Sequence, residues 1–487
     1  MQTEADQMSR DAGPRYRRLA DELGEAIRAG VLRPGDRLPS VRETCRARGV
    51  SPSTVFQAYA LLETQGLVEP RERSGYFVRA LRRPPRAAPA AADARGDATP
   101  VAVSELVFGL VGSAADPARV PLGSAFPSAR LFPLAELARS GARAMRKLDP
   151  DQVTGALLAG DPALLLALRR RYALHGVALA DDELVITNGA MEALNLCLQA
   201  VTRPGDVVAI ESPTFYAALQ ALERLQLRAV EVRTDPRTGV DLDALAALLQ
   251  TQRIAACWFM TSFQNPLGAL MPDARKQALV DLLARHDVPL IEDDVYAELH
   301  DEGRRPLPAK AFDRAGRVLH CSSFSKCLAP GYRIGWAAAG RQAQAVQRLK
   351  TMSTLATSLP PQRALADYLA QGGYDRHLRR LRAALAGERQ RASRLIERHF
   401  PAGTRMTRPS GGYFVWLELP PQVDALALHH RAMAQGISTA PGALFSVDGR
   451  FDHHLRLNLG HPGDARVDRA LRQLGELAGA MAAGEAA

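Results

Sequence analysis

The sequence predicts a multi-domain chain: a small N-terminal winged helix-turn-helix of α+β type, then a linker, then a large α/β domain with a smaller C-terminal α+β lobe. Three observations lead there. Residues 14–79 read as three short helices followed by a hairpin, residues 80–103 form a Pro/Ala/Arg tract, and beyond 104 unbroken apolar runs alternate with amphipathic stretches. At 487 residues the chain is also too long for one ordinary core.

In the first zone, apolar residues at 16, 19, 20, 23, 26 and 27 make the stripe of an amphipathic helix over 14–29. RPGDRLPS then turns, with Ser40 as N-cap of a second helix over Val41–Arg48 that Gly49 ends. Ser51 caps a third helix, with Pro52 at its first position, running through STVFQAYALLETQ to Gly66. LVEPRERSGYFV reads as two strands around a Ser-Gly turn. Such a third helix suits a DNA major groove. It offers Ser51, Ser53 and Thr54 at its start and Gln57 one turn on, while Arg42 on the helix before it and Arg71 and Arg73 on the hairpin reach phosphates or groove edges. Singly, each of these residues reads as a helix cap or a solvated charge. The net charge of +10 is spread along the chain, but residues 41–86 hold nine arginines against four glutamates, which supports the same face.

The tract ALRRPPRAAPAAADARGDATPVAV, 80–103, has too few large apolar side chains to offset the entropy of ordering, and its prolines favour a semi-extended linker. After it, LVIT at 184, VVAI at 207, RAVEV at 228, IAACWFM at 254, VPLIED at 288 and RVLHCSS at 317 read as strands. Helical patterns over Met191–Val201, Leu242–Gln250 and Pro272–His286 separate several of them, which indicates a mostly parallel sheet covered on both faces. The large lobe is expected over about 160–355 and the small lobe over about 356–487 plus 104–159. A helix-rich segment, Ala364–Ala483, carries one strand pair, YFVWLEL and LRLNL.

Several features of this second part suit one chemistry. Lys326, in SSFSKCLAPGYRIGW, follows a strand, with the hydroxyls of Ser323 and Ser325 and the cation of Arg333 available to an anionic group. LVIT followed by Asn188-Gly189-Ala190-Met191 is a strand-turn-helix that presents free amides and the positive end of a helix to an anion. Phe215 in ESPTFY can stack on a flat ring, and Asn265 in SFQNPLG can donate to a ring oxygen, as can Tyr296. Asp293 in IEDDVY ends an apolar strand, at the edge where α/β sheets place ligands. Alone, a loop lysine is usually solvated, a phenylalanine is core, and an asparagine before proline starts a turn.

RPGDRLPSVRE, GVSPSTVFQAYALLETQGLVEP and SGYFV together resemble the N-terminal domain of the GntR regulator family, which implies that Arg42, Ser53, Thr54 and Gly75 lie near DNA. Pro52 departs from the pattern, standing where many relatives have arginine. The later motifs, in order and spacing, resemble fold type I pyridoxal-phosphate enzymes, the aspartate aminotransferase superfamily, over roughly 105–480. That resemblance implies pyridoxal 5'-phosphate (PLP) as cofactor, Lys326 as the Schiff-base lysine, Asp293 as partner of the pyridine nitrogen, and Asn265 and Tyr296 as ring-oxygen donors. It also implies a phosphate cup of Gly189, Ala190, Met191, Ser323, Ser325 and Arg333, with Phe215 stacking and Arg456 holding a substrate or effector carboxylate. Gly155 departs here, where such enzymes commonly place a tyrosine that reaches the partner subunit's phosphate.

The combination resembles the MocR subfamily, and implies a homodimeric regulator that binds double-stranded promoter DNA and senses PLP, an amino compound, or both. The alternative is a catalytically active aminotransferase carrying a DNA-binding module. No apolar run approaches the roughly 18 residues that span a bilayer, and residues 1–13 do not read as a signal peptide, so a cytoplasmic location away from membranes is expected. The five cysteines are scattered and include no Cys-x-x-Cys pair, so neither disulfides nor a metal site are expected.

Overall fold

The computed structural model describes residues 14–28, 31–33, 35–71, 74–79, 86–92, 94, 96–104, 107–108, 116, 118–155, 160–301 and 303–484. The chain divides into two compact units, Met1–Pro85 and Arg86–Ala487.

In the first unit, helices α1 (Arg15–Arg28), α2 (Val41–Arg48) and α3 (Pro52–Thr64) precede strands β1 (Val68–Arg71) and β2 (Gly75–Val78). Local chemistry sets these ends. Ser40 and Glu43 form a reciprocal capping box, with Ser40 N donating to Glu43 Oε2 at 2.7 Å and Glu43 N to Ser40 Oγ at 3.3 Å. Gly49 closes α2 in the left-handed region at φ 64°, and Pro52 opens α3 behind the Ser51 cap. Leu19, Ile27, Leu38, Val55, Tyr59, Leu62 and Val78 form the core. Backbone bonds from Leu38 N to Tyr76 O and from Val78 N to Asp36 O add residues 36–38 to the antiparallel hairpin, completing a wing.

The second unit is built on a sheet of strands β3 (Thr99–Pro100), β4 (Leu184–Thr187), β5 (Val207–Ser212), β6 (Arg228–Asp235), β7 (Ala256–Phe259), β8 (Leu290–Asp293), β9 (Val318–Ser323) and β10 (Gly335–Ala338). Their order is β3-β6-β5-β7-β8-β9-β10-β4, with Gly239–Val240 pairing back onto β6. The centre, β6-β5-β7-β8-β9, is parallel as expected. β10 is an addition, antiparallel to both β9 and β4. Two successive reversals restore the direction of β4. The carboxyl ends of β4, β5, β7, β8 and β9 therefore share one edge, and each leads into a segment singled out above. Helices α4 (Pro162–Leu174), α5 (Ala190–Val201), α6 (Tyr216–Arg224), α7 (Leu242–Thr251) and α8 (Asp273–Arg285) belong to the same unit.

The C-terminal part holds a second sheet of β11 (Arg405–Met406), β12 (Phe414–Glu418), β13 (Ala440–Pro441) and β14 (His454–Asn458), ordered β11-β12-β14-β13. The expected strand pair is β12 and β14, antiparallel with Trp416 opposite Arg456. Helices α9 (Gly373–His399) and α10 (Ala465–Ala482) supply Ile396, Leu471 and Leu474 to a core with Leu417, Leu455 and Leu457.

The unit boundary falls inside the tract expected to be a linker, and from Arg86 the described residues are fastened to the second unit. Arg86 Nη1 donates to the carbonyls of Pro401 and Thr404 at 2.9 Å, and Nη2 to those of Phe400, Glu397 and Ile396 at 2.8, 3.2 and 3.4 Å. One guanidinium thus gathers carbonyls from the last turn of α9 and from the segment that follows it. Farther on, Gln252 Nε2 donates to Gly96 O at 2.9 Å, Thr99–Pro100 pair with β6, and the Glu223 carboxylate accepts from Val103 N and Ser104 N at 2.8 and 2.9 Å. Polar anchoring supplies here what the composition withheld in apolar area.

Candidate cofactor site and nucleic-acid interface

Asp293 ends β8, fully enclosed, and its Oδ1 has no hydrogen-bond partner among the described residues. Asn265, after β7, is equally buried. Its Oδ1 accepts from Arg456 Nη1 at 3.2 Å while its Nδ2 donor is unmatched. An unsatisfied buried polar atom costs about 1–3 kcal/mol, and here one acceptor and one donor are stranded at and beyond the carboxyl ends of the adjacent strands β8 and β7. They fit a flat group with an N–H at one position and an oxygen at another. Lys326 projects from the loop after β9, half-buried, with Nζ donating to Ala125 O at 2.9 Å and lying 3.6 Å from the centre of the Phe126 ring. Burial, reinforced by the charges of Arg456 and Arg333 and opposed by Asp293, pushes this lysine down to about 7. Burial and the neighbouring Asp294 push Asp293 up to about 7, against the pull of Lys326. Glu211, at the end of β5, is pushed up to about 8 by burial, with Asp293 adding to it.

An anion cradle lies beside them. α5 begins at Ala190, so the first amides of the helix, Ala190 and Met191 included, have no acceptor within it. Gly189 before it has φ 84°, and a Cβ there would stand 2.6 Å from Arg333 Nη2. A Cβ at Gly335 would stand 2.5 Å from the Gly189 carbonyl carbon, so the turn is sandwiched between two positions that exclude side chains. Ser325 N donates to Ser323 Oγ at 3.3 Å and Arg333 Nη1 to Ser325 Oγ at 3.4 Å. Phe215 stands half-buried at the start of α6, its ring 4.8 Å from Tyr216. Tyr296 is buried edge-on to Tyr413 and Phe414, and burial raises its phenol well above the usual range. Gly155 ends a short helix, Pro150–Gly155.

Arg456 is fully buried, 4.4 Å from the Phe414 ring, and faced by Tyr216, Tyr296 and Tyr413. Its Nη2 donates to the carbonyls of Gly123 and Ser124 at 2.6 and 3.2 Å. Those carbonyls belong to a segment that sequence reasoning passed over, Gly123–Phe126, which also contacts Lys326. Tyr413 Oη donates to Ala125 O at 3.0 Å, and Asn458 Nδ2 to Ser124 O and Phe126 O at 2.9 and 2.7 Å. GSAFP carries neither periodicity nor a charged group, so its one signal was its glycine and proline.

On the first unit, Ser51 Oγ accepts from Thr54 N at 3.3 Å and bonds to the hydroxyls of Ser53 and Thr54 at 2.9 Å, so Ser51 works as a cap. Ser53, Phe56 and Gln57 are exposed along one face of α3, with Phe56 54% accessible, and Arg42 is exposed on α2. Arg71 bonds to Glu69 and lies 4.4 Å from the Phe77 ring. Gly75 has φ 96°, and Arg37, a residue the sequence reading passed over, lies 3.3 Å from where its Cβ would be. Arg73 falls outside the described residues.

Two family models match the chain: bacterial regulatory proteins of the gntR family over residues 15–78, and aminotransferase class I and II over residues 143–474. The HTH-type transcriptional regulator YdcR of Escherichia coli (strain K12) is 48% identical over 465 residues, covering 95% of this chain and 98% of its own. The chain is a MocR-type member of the GntR regulators. The probable rhizopine catabolism regulatory protein MocR of Rhizobium meliloti is 29% identical over 442 residues, 89% of this chain and 88% of its own. Among solved structures, the α-aminoadipate aminotransferase LysN of Thermus thermophilus, complexed with N-(5'-phosphopyridoxyl)-L-leucine, superposes with a TM-score of 0.69 at 28% identity. That match covers 79% of this chain and all of LysN. The cofactor of this MocR-type chain is pyridoxal 5'-phosphate, in keeping with the unmatched donor and acceptor and the anion cradle. No helix among the described residues is long and apolar enough to cross a membrane.

Proposed function

We propose that the protein is a cytoplasmic, homodimeric transcription regulator whose winged helices bind paired half-sites in promoter DNA and whose second unit senses PLP together with a small amino compound. The observation that carries this reading is the pair of buried, unmatched groups on Asp293 and Asn265, with Arg456 bonded to Asn265 and Lys326 in the field of Asp293 and Arg456, in a chain that also bears a GntR winged helix.

In this reading Lys326 attaches the cofactor, since a lysine held near neutrality offers an uncharged amine at ambient pH. Asp293 accepts from the ring nitrogen, and Asn265 and Tyr296 donate to the ring oxygen. Phe215 stacks. The Gly189–Met191 turn, Ser323, Ser325 and Arg333 hold the phosphate. Bound PLP supplies an electrophilic carbon to amino groups and an electron sink.

Arg456 clamps the effector carboxylate, and to do so it releases the carbonyls of Gly123 and Ser124. The effector thus competes with segment 123–126, which Asn458 ties to β14. The same lobe holds Arg86 against the end of α9, one residue past the boundary of the winged-helix unit. Displacing the segment therefore shifts an element fastened to the start of the linker. A two-state switch needs this kind of differential contact.

The test is Arg456→Ala, assayed by footprinting DNA upstream of the protein's own gene. The variant keeps the visible absorbance of bound PLP and loses the response of DNA protection to a panel of amino acids. An amino-acid response retained in full contradicts the assignment of Arg456.

A further inference from the structure

The outer face of α3 carries one large side chain that the roles above leave unused. Val55, Ala58, Tyr59 and Leu62 turn into the core, so Ser53, Phe56, Gln57 and Ala60, spaced at three and four residues, share the exposed stripe. Phe56 is 54% accessible, and among the described residues of this unit only Val31 is another large apolar side chain so exposed.

The helix is fixed with this stripe outward. Tyr59 Oη donates to Pro39 O at 2.7 Å and lies 2.8 Å from Thr44 Oγ1, and its ring meets Tyr76 edge-on at 5.2 Å, which ties α3 to α2 and to β2. The start of the stripe is poor in free hydrogen-bonding groups. Pro52 has no donor, and the Ser53 hydroxyl lies 2.9 Å from Ser51 Oγ, which also caps the helix. The Phe56 ring, one turn on, is therefore the largest group this face presents. Beside it, α2 exposes Arg42, Arg46 and Arg48 against Glu43, with Arg48 paired to Glu22, a balance that suits a polyanion.

The third helix of a winged helix-turn-helix lies in the major groove. The base edges there present donors, acceptors and one methyl, on C5 of thymine. A ring laid on a donor or acceptor strips it of water and returns no bond. Laid on the methyl, it removes apolar area of both partners from water.

We infer that Phe56 reads a thymine in each half-site by packing on its C5 methyl, so that the protein recognises part of its operator through an apolar contact rather than a hydrogen bond. The inference rests on the DNA-binding reading above and names a base which that reading leaves open.

The experiment selects, from a random-sequence duplex pool, the DNA that the full-length protein binds best in the presence of PLP, with Phe56→Ala and Phe56→Leu in parallel. Each thymine of the selected duplex is then replaced singly by deoxyuridine, which removes the methyl and keeps the pairing and every hydrogen-bonding group, and affinity is read by fluorescence anisotropy. Wild type selects thymine at one position in each half-site, and deoxyuridine there weakens binding about fourfold, the worth of one buried methyl. Phe56→Ala binds the duplex more weakly and is indifferent to that replacement, whereas Phe56→Leu keeps an apolar contact and stays sensitive. Because the ring is exposed, neither variant removes core area, and both melt as wild type does. A selected site without a preferred thymine, or deoxyuridine that weakens wild type and Phe56→Ala equally, overturns the assignment. So does a Phe56→Ala protein that keeps wild-type affinity but dissociates to monomers, since the ring then covers a second copy of the chain. A wild-type protein that selects no sequence overturns the DNA-binding reading itself, and this inference with it.

Discussion

On α3, Ser53, Phe56 and Gln57 face solvent on a helix whose cap and core are complete, whereas at the ends of β7 and β8 Asn265 and Asp293 are buried with a donor and an acceptor unmatched. The first surface is complete in its own capping bonds and core, and Phe56 and Gln57 stand exposed on it. The second holds polar groups whose burial is favourable only when something fills the pocket. Binding energy therefore has different sources in the two regions: counterion release and groove contacts in one, relief of stranded polar groups and charge in the other.

The largest effect that sharpens this contrast is expected at Gly189. Gly189→Val places a side chain on Arg333 at a left-handed backbone position, and PLP affinity, read from absorbance against added cofactor, falls by roughly a hundredfold. DNA binding by the first unit without effector is unaffected.

Next comes Asp293→Asn. Because burial lifts Asp293 to about 7, the folded protein keeps a proton there that the unfolded chain has released, and the mismatch accumulates as pH rises from about 4 to 7. The variant of the cofactor-free protein is thus more stable than wild type, by little at pH 4 and by on the order of 4 kcal/mol at pH 8, in denaturant midpoints. It also loses PLP. Equal stability at pH 8 contradicts the buried-charge account.

The smallest effect belongs to the exposed surface. Arg42→Ala weakens DNA binding evenly across sequences and lowers the slope of log affinity against log salt by about one, measured by fluorescence anisotropy.

Much of this was legible in the sequence because of burial. Strands enclosed on both faces read as unbroken apolar runs, so β4 to β9 were found, and Ser40, Gly49, Ser51 and Pro52 announced the helix ends through their own chemistry. The candidate site residues could be named as a set because the segments after β4, β5, β7, β8 and β9 open on one edge. What stayed hidden depends on partners remote in sequence. β10 is four residues long and gains its place from β9 and β4. Gly123–Phe126 is defined by the side chains it meets, and Arg86 by the distant carbonyls that it satisfies. His320 and Tyr172 are joined to Asp294 only by packing between elements remote in sequence.

The most direct test joins the two regions: protection of the DNA upstream of the protein's own gene, measured with and without PLP and an amino-acid panel, for wild type and Lys326→Ala. The account predicts that wild type changes its protection on ligand addition, while the variant binds the same DNA, lacks the visible absorbance of bound cofactor and does not respond. A variant that lacks the absorbance yet responds as wild type does would contradict it.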